Sequence, residues 1–247
     1  MSVLLLALLS QISAGAIVAR VKENDAKIRD LTAVARLAIE GGGETKTRVF
    51  DFALLRGSEG VSYRARVRLR EPAEMEGTTF LIVAERGKRN QQWAYFPDLD
   101  LVREIAGKSE DDPFLGSDIT YADLAGGAHL DDLRHRLLGE ETVGGELCYF
   151  MEGIPEHRIA YGKLRGFIRK SDFVPVKAEF FDPEGTLLKE ALLSDVRNLE
   201  GALLAHRIEV RRVDGRRTVL TFEDVKVNLG AATDDFTREA LGKEVPP

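Results

Sequence analysis

Between Tyr161 and Asn228 the chain alternates strand-forming runs with turn residues and carries almost no helical signal. Turn clusters at Asp182-Pro183-Glu184-Gly185 and Asp214-Gly215 punctuate those runs at the spacing of an antiparallel meander. A strand sends every second side chain to one face, so a long meander delivers a continuous apolar surface that has to be covered. This pattern predicts a curved sheet or barrel enclosing apolar space rather than a catalytic pocket.

The chain has 247 residues, enough for one all-β domain whose core needs no staples. Its formal net charge of -6 argues against a uniformly basic nucleic-acid footprint. Cys148 is the single cysteine, so no intrachain disulfide can form. Residues 1–16 run apolar and then small. Leu4 to Leu9 has the character of a secretory h-region, and Ala14-Gly15-Ala16 fits a small-x-small cleavage site. That reading makes 1–16 a signal peptide and 17–247 a single exported domain. No Lys or Arg precedes the apolar run, and a buried N-terminal helix is the alternative. The run is too short to span a bilayer, and no other stretch is apolar and long enough to do so.

Along the chain, residues 17–30 read as helix. The stretch 31–40 is ambiguous, because its Ala and Leu favour helix while Leu31, Ala33, Ala35, Leu37 and Ile39 alternate like a strand. Gly41-Gly42-Gly43 followed by the strand-like run 47–55 suggests a hairpin. Residues 61–70 form the clearest strand. Val61, Tyr63, Ala65, Val67 and Leu69 take one face, and Ser62, Arg64, Arg66, Arg68 and Arg70 the other, which predicts one dry and one wet face. The arginine row is either a solvated face paired with neighbouring carboxylates or a stripe for phosphate or carboxylate groups. Strands are expected at 78–84 and 91–96 around Gly87-Lys88, with a short one at 99–105. Two more flank Val143-Gly144-Gly145, and Thr233 is expected to cap a short helix reaching Leu241. Residues 107–132, rich in Gly, Asp and Ser, form a long irregular insertion with short helical turns.

Tests for chemistry return little. Gly41 to Thr47 lacks the glycine before Lys46 that a phosphate-binding loop needs. His129 and His135 flank Asp131 and Asp132 without a strong metal-ligand spacing. Cys148 has no local cation or helix N-terminus to activate it. Gly116-Ser117-Asp118 lacks the nucleophile-elbow pattern. The sequence thus points to no enzyme, metal or cofactor. A hydrolase on a β scaffold would need His129, Asp131 and His135 to converge.

The pair Trp93-Ala94-Tyr95-Phe96-Pro97 and Phe114-Leu115-Gly116-Ser117-Asp118-Ile119-Thr120-Tyr121-Ala122-Asp123-Leu124 resembles the LolA-like family of outer-membrane lipoprotein-sorting proteins. Tyr161-Gly162-Lys163, Val174-Pro175-Val176-Lys177, the turn from Phe181 to Gly185 and Phe236-Thr237 extend the likeness across nearly the whole mature chain. The resemblance implies a mainly β fold: a strongly curved antiparallel sheet in an unclosed half barrel, with an N-terminal helix, a short C-terminal helix and a helical insertion over the concave face. It implies a periplasmic carrier of acyl chains from lipoproteins or other lipids, with a non-enzymatic adaptor of an inner-membrane exporter of the resistance-nodulation-division type as the alternative. Under this reading Trp93, Tyr95, Phe96, Phe114, Leu115, Tyr121, Tyr63 and Val67 are candidates for the cavity or its lid. Arg64, Arg66, Arg68 and Arg70 are candidates for contact with a partner or headgroup. No arginine matching the lid latch of the best-studied carriers can be placed. Each methylene taken from water gains about 0.8 kcal/mol, so a ~16-carbon chain represents roughly 12 kcal/mol of gross transfer energy and needs a cover in transit.

Overall fold

The computed structural model describes residues 12–57, 63–84, 90–124, 130–156 and 160–243. Most of the expected leader (1–11), Val61, Ser62, the Gly87-Lys88 turn, His129, His157 and the side chain of Asp131 lie outside the described residues. Helix α1 (Ala14–Asp25) comes first. The strands are β1 (Asp30–Gly41), β2 (Glu44–Arg56), β3 (Tyr63–Glu71), β4 (Thr79–Ala84), β5 (Gln91–Phe96), β6 (Leu101–Ile105), β7 (Leu133–Val143), β8 (Glu146–Pro155), β9 (Lys163–Arg169), β10 (Pro175–Phe181), β11 (Leu187–Leu199), β12 (Ala202–Arg212) and β13 (Arg217–Val227). A single turn, α2 (Tyr121–Leu124), lies in the insertion.

The strands make one antiparallel sheet in the order β6-β5-β4-β3-β2-β1-β13-β12-β11-β10-β9-β8-β7. Two meanders are therefore joined where β1 pairs β13. The sheet stays open, with β6 and β7 as its two edges. Laid flat, thirteen strands at about 4.8 Å spacing would span roughly 58 Å. Yet Leu124 accepts a hydrogen bond from Tyr63 of β3 while the adjacent Asp123 accepts from Lys189 of β11, five strands away in that order. That is possible only because the sheet wraps around them, as an unclosed half barrel.

The strand periodicity of residues 31–39 prevails over their helix propensity. Leu31, Ala33, Ala35, Leu37 and Ile39 are all buried, and β1 is an interior strand, paired on both sides. The expected helix accordingly ends at Asp25, and its start is set by Ser13, whose Oγ accepts from the Ala16 N–H at 3.2 Å.

Two expectations are corrected. The C-terminal helix is instead two 3-10 turns, Thr233–Phe236 and Arg238–Ala240, because Thr237 between them is extended and Thr233 makes no capping bond. Nor is β3 dry on one side and wet on the other. Its Val67 and Leu69 face the concave core, while the C-terminal turns fold back over the convex side. There Phe236 and Leu241 pack with Leu81, Trp93 and Tyr95. A second small core thus covers the arginine row at its middle.

Candidate functional site

Among the described residues the concave face divides into a filled half and a hollow half. In the filled half the insertion presses Phe114 into the sheet until the side chain is 1% exposed. Its ring meets Phe50, Phe80 and Tyr121 edge-on, with centroids 6.3, 5.1 and 5.5 Å away, the geometry aromatic quadrupoles prefer. The turn that delivers Phe114 needs left-handed backbone at Leu115 (φ 53°) and Gly116 (φ 77°). Only the second is conformationally cheap.

Polar fasteners hold this turn down. The Ser117 Oγ accepts from the Ile119 N–H at 3.1 Å. The Asp118 N–H donates to Thr218 Oγ1 at 3.0 Å, and the Thr218 hydroxyl donates back to the Asp118 carboxylate at 2.7 Å. Arg216 Nη2 donates to the Gly116 carbonyl at 2.9 Å, and its Nε lies 3.3 Å from Asp118 Oδ1. Lys189, 5% exposed, donates to the Asp118 carbonyl at 2.9 Å and to Asp123 Oδ2 at 2.5 Å. Its Nζ stands 5.4 and 5.3 Å from the ring centroids of Tyr161 and Phe180. The Tyr161 hydroxyl donates to the other Asp123 oxygen at 2.7 Å. Burial first, and the Asp123 charge second, push the Tyr161 phenol far above its ordinary range, so it stays a donor. Tyr63 ties the end of α2 by donating to the Leu124 carbonyl at 2.8 Å.

The hollow half lies between α1 and β7–β10, as a cavity of about 170 Å³. Ile17 and Val21 of α1 form its roof, and Leu133, Met151, Leu164, Ile168 and Ala178 its walls. The strand register explains the space. Met151, Gly166 and Ala178 stand in one cross-strand row, and Gly153 lies diagonally from Gly166 on the same face. Small side chains occupy positions where the other half carries Phe50 and Phe80. Arg165 and Lys177 border the cavity, but their charged heads are held on the convex side. Arg165 sits over Phe150 and Phe181, and Lys177 pairs with Glu179 and Glu190. His135 also borders it, with its Nε2–H donating to the Leu130 carbonyl at 2.6 Å. The surface offered to a ligand is therefore almost purely apolar.

The two covers are attached differently. The polar ties of α1 to the sheet lie at its C-terminal end. Asn24 exchanges two hydrogen bonds with the Leu203 backbone at 2.8 and 2.9 Å, and Lys27 donates to the Gly201 carbonyl at 2.7 Å. The N-terminal end rests on apolar contacts of Ile17 and Val18 with Tyr149, Met151 and Phe173.

Of the residues expected at the cavity or lid, Val67, Phe96, Phe114, Leu115 and Tyr121 meet in the filled half, with Tyr63 beside them. Trp93 and Tyr95 alternate to the convex face and pack under the C-terminal turns. The residues around the hollow are a different set, and their signal in the sequence is one small residue in each of three successive strands, Gly153, Gly166 and Ala178. In the arginine row, Arg70 is exposed and paired with Asp51 at 2.5 Å. Arg64 and Arg68 are half-buried. Arg66 is 5% exposed and donates to the Lys243 carbonyl at 2.6 Å. Among the described residues no group of three or more His, Cys, Asp or Glu side chains is placed to hold a metal ion.

An open antiparallel half barrel with an apolar hollow under a helix defines a LolA-like fold. The chain belongs to a family of uncharacterized proteins whose family model matches residues 63–243. A DUF1329 family protein from Desulfovibrio piger is similar at 25% identity and a TM-score of 0.86, over 93% of this chain and 99% of that one. A proposed outer membrane lipoprotein-sorting protein domain from Vibrio parahaemolyticus is 26% identical with a TM-score of 0.84, over 91% and 97%. A LolA superfamily protein from Nitrosomonas europaea shares the fold at 21% identity and a TM-score of 0.73, over 92% and 99%. Among curated proteins, none matches. Among the described residues no helix is long and apolar enough to cross a membrane.

Proposed function

We propose that this protein is a periplasmic, non-enzymatic carrier, exported by cleavage of its leader, that shields one acyl chain of a lipoprotein or other lipid on the way to the outer membrane. The observation that carries this reading is the apolar hollow beneath α1, with charged heads turned away from it. The likeness to the Vibrio parahaemolyticus domain supports it.

The hollow is smaller than the about 300–1,000 Å³ typical of sites that enclose a drug-sized ligand. A long acyl chain therefore needs the cover to move, and the attachments favour α1 over the insertion as the moving part. Lifting the N-terminal end of α1 breaks apolar contacts that the incoming chain replaces. Lifting the insertion would strand the buried charges of Lys189 and Asp118, a cost of several kcal/mol.

Gly166 provides the test. A Cβ there meets only Ile168 Cδ1, at 3.8 Å, so Gly166→Leu fills the hollow without a backbone clash. Native mass spectrometry of protein purified without organic solvent should show bound lipid. A fluorescent fatty-acid probe should bind saturably to the wild type and about tenfold more weakly to Gly166→Leu. Absence of saturable binding in the wild type, or equal binding by the variant, removes the proposal.

A further inference from the structure

The edge strand β7 is paired on one side only, with β8, and carries an unusual charge order: Arg134, His135 and Arg136 near its start, Glu140 and Glu141 near its end. A bulge between Leu137 and Gly139 leaves Leu138 without a partner on β8. We propose that β7 is the surface through which the protein pairs with a second copy of itself, antiparallel about a two-fold axis passing between Leu137 and Leu138.

In that register Arg134 lies opposite Glu141 of the second copy, and His135 opposite Glu140, each pair occurring twice by symmetry. The pairing requires matched faces, and the bulge supplies the match. Arg134 and Glu141 are seven residues apart, which in a regular strand would put them on opposite faces. The register with β8 shows both on the convex side, opposite Ile154 and Cys148. His135 and Glu140 likewise share the concave side, opposite Gly153 and Tyr149. One extra residue thus converts a mismatched strand into a self-complementary one.

Two further observations point to the same occupant. Neither Arg134 nor Glu141 is held in an ion pair among the described residues. Leu138, one of the exposed large hydrophobic side chains, lies on this edge strand at the axis. The opposite edge has no such complementarity. Self-pairing of β6 centred on its middle residue sets Arg103 against Arg103, a like-charge opposition that disfavours it. A dimer through β7 therefore closes as a two-fold pair and does not propagate.

Sedimentation velocity over a concentration series tests this on the full chain. The wild type should dimerise reversibly. Glu141→Arg and Arg134→Glu should each raise the dissociation constant about tenfold or more, since each turns two attractive pairs into repulsive ones. The double variant Arg134→Glu with Glu141→Arg reverses both Arg134–Glu141 pairs, leaves the His135–Glu140 pairs as they are, and should restore the wild-type constant. Both positions are exposed, so folding is not at stake. A wild type that stays monomeric at every concentration overturns the proposal and leaves the edge to an extended segment of another protein. A dimer indifferent to the single variants, or not restored by the double one, overturns it as well.

Discussion

The half of the concave face under the insertion and the half under α1 share one sheet and one alternation, yet they are built for opposite ends. Under the insertion, aromatic rings fill the space and the cover is bolted by Lys189, Arg216 and Thr218 to Asp118 and Asp123. Under α1, glycine and alanine replace the rings, and the cover is tied at its C-terminal end. Buried polar bonds are directional and costly to break, whereas apolar contacts can be exchanged for a ligand's at little net cost. One half thus carries stability, and the proposed carrier role assigns opening to the other.

The contrast can be broken most severely at Phe114. Phe114→Ala should cost about 3–5 kcal/mol in denaturant unfolding, from lost transfer energy and the cavity left behind, while probe binding in the hollow at temperatures where the variant remains folded stays within about twofold of the wild type. Lys189→Met should cost roughly 3 kcal/mol or more, because it leaves Asp123 buried without its cation. An unchanged melting temperature would show that the bolts do not hold the insertion.

Glu209 on β12 provides a control outside both halves. Hydrogen bonds from Arg217, then Arg211 and Arg207, hold its carboxyl down to about 2 from an ordinary 4.5. A depressed pKa contributes stability that is present above the ordinary value and lost as pH falls from about 4.5 towards 2. The arginine partners are a third to a half exposed, so the contribution is about 2 kcal/mol at most. Glu209→Gln should remove that portion of the acid-range slope and leave probe binding unchanged. The smallest effect is expected at the tether of α1. Asn24→Ala should cost about 1 kcal/mol and speed probe uptake in stopped-flow mixing. Slower uptake would mean that α1 is not the moving cover.

Regular alternation told the truth about most strands. The run at 63–71 carries its own period of two, the run at 79–84 is short and continuously apolar, and the turns at Asp182 and Asp214 carry their own residue chemistry. Several weak pieces of text also turn out to be one packed unit. A Cβ on Gly162 would lie 2.6 Å from the Asp182 carbonyl and from Pro183 Cα, so the glycine after Tyr161 and the turn after Phe181 require each other. The site was harder to see. Trp93 and Tyr95 looked like cavity aromatics, and alternation alone separates them from Phe96, but nothing local says which face is concave. Phe114 and Leu115 read as cavity or lid candidates, and their depth depends on Lys189 and Thr218, both more than 70 residues further along the chain.

Local pattern by itself determined the strands, the turns, the irregular insertion and the absence of a catalytic motif, because each depends on neighbours within a few residues. The order of the strands and the wrap of the sheet decided the rest. Since β6 and β7 are consecutive in the chain but lie at opposite edges, the segment between them has to cross the open face. It fills the half it crosses and leaves the other to α1. Which small residues end up around empty space depends on that long-range pairing, a property no window of sequence contains.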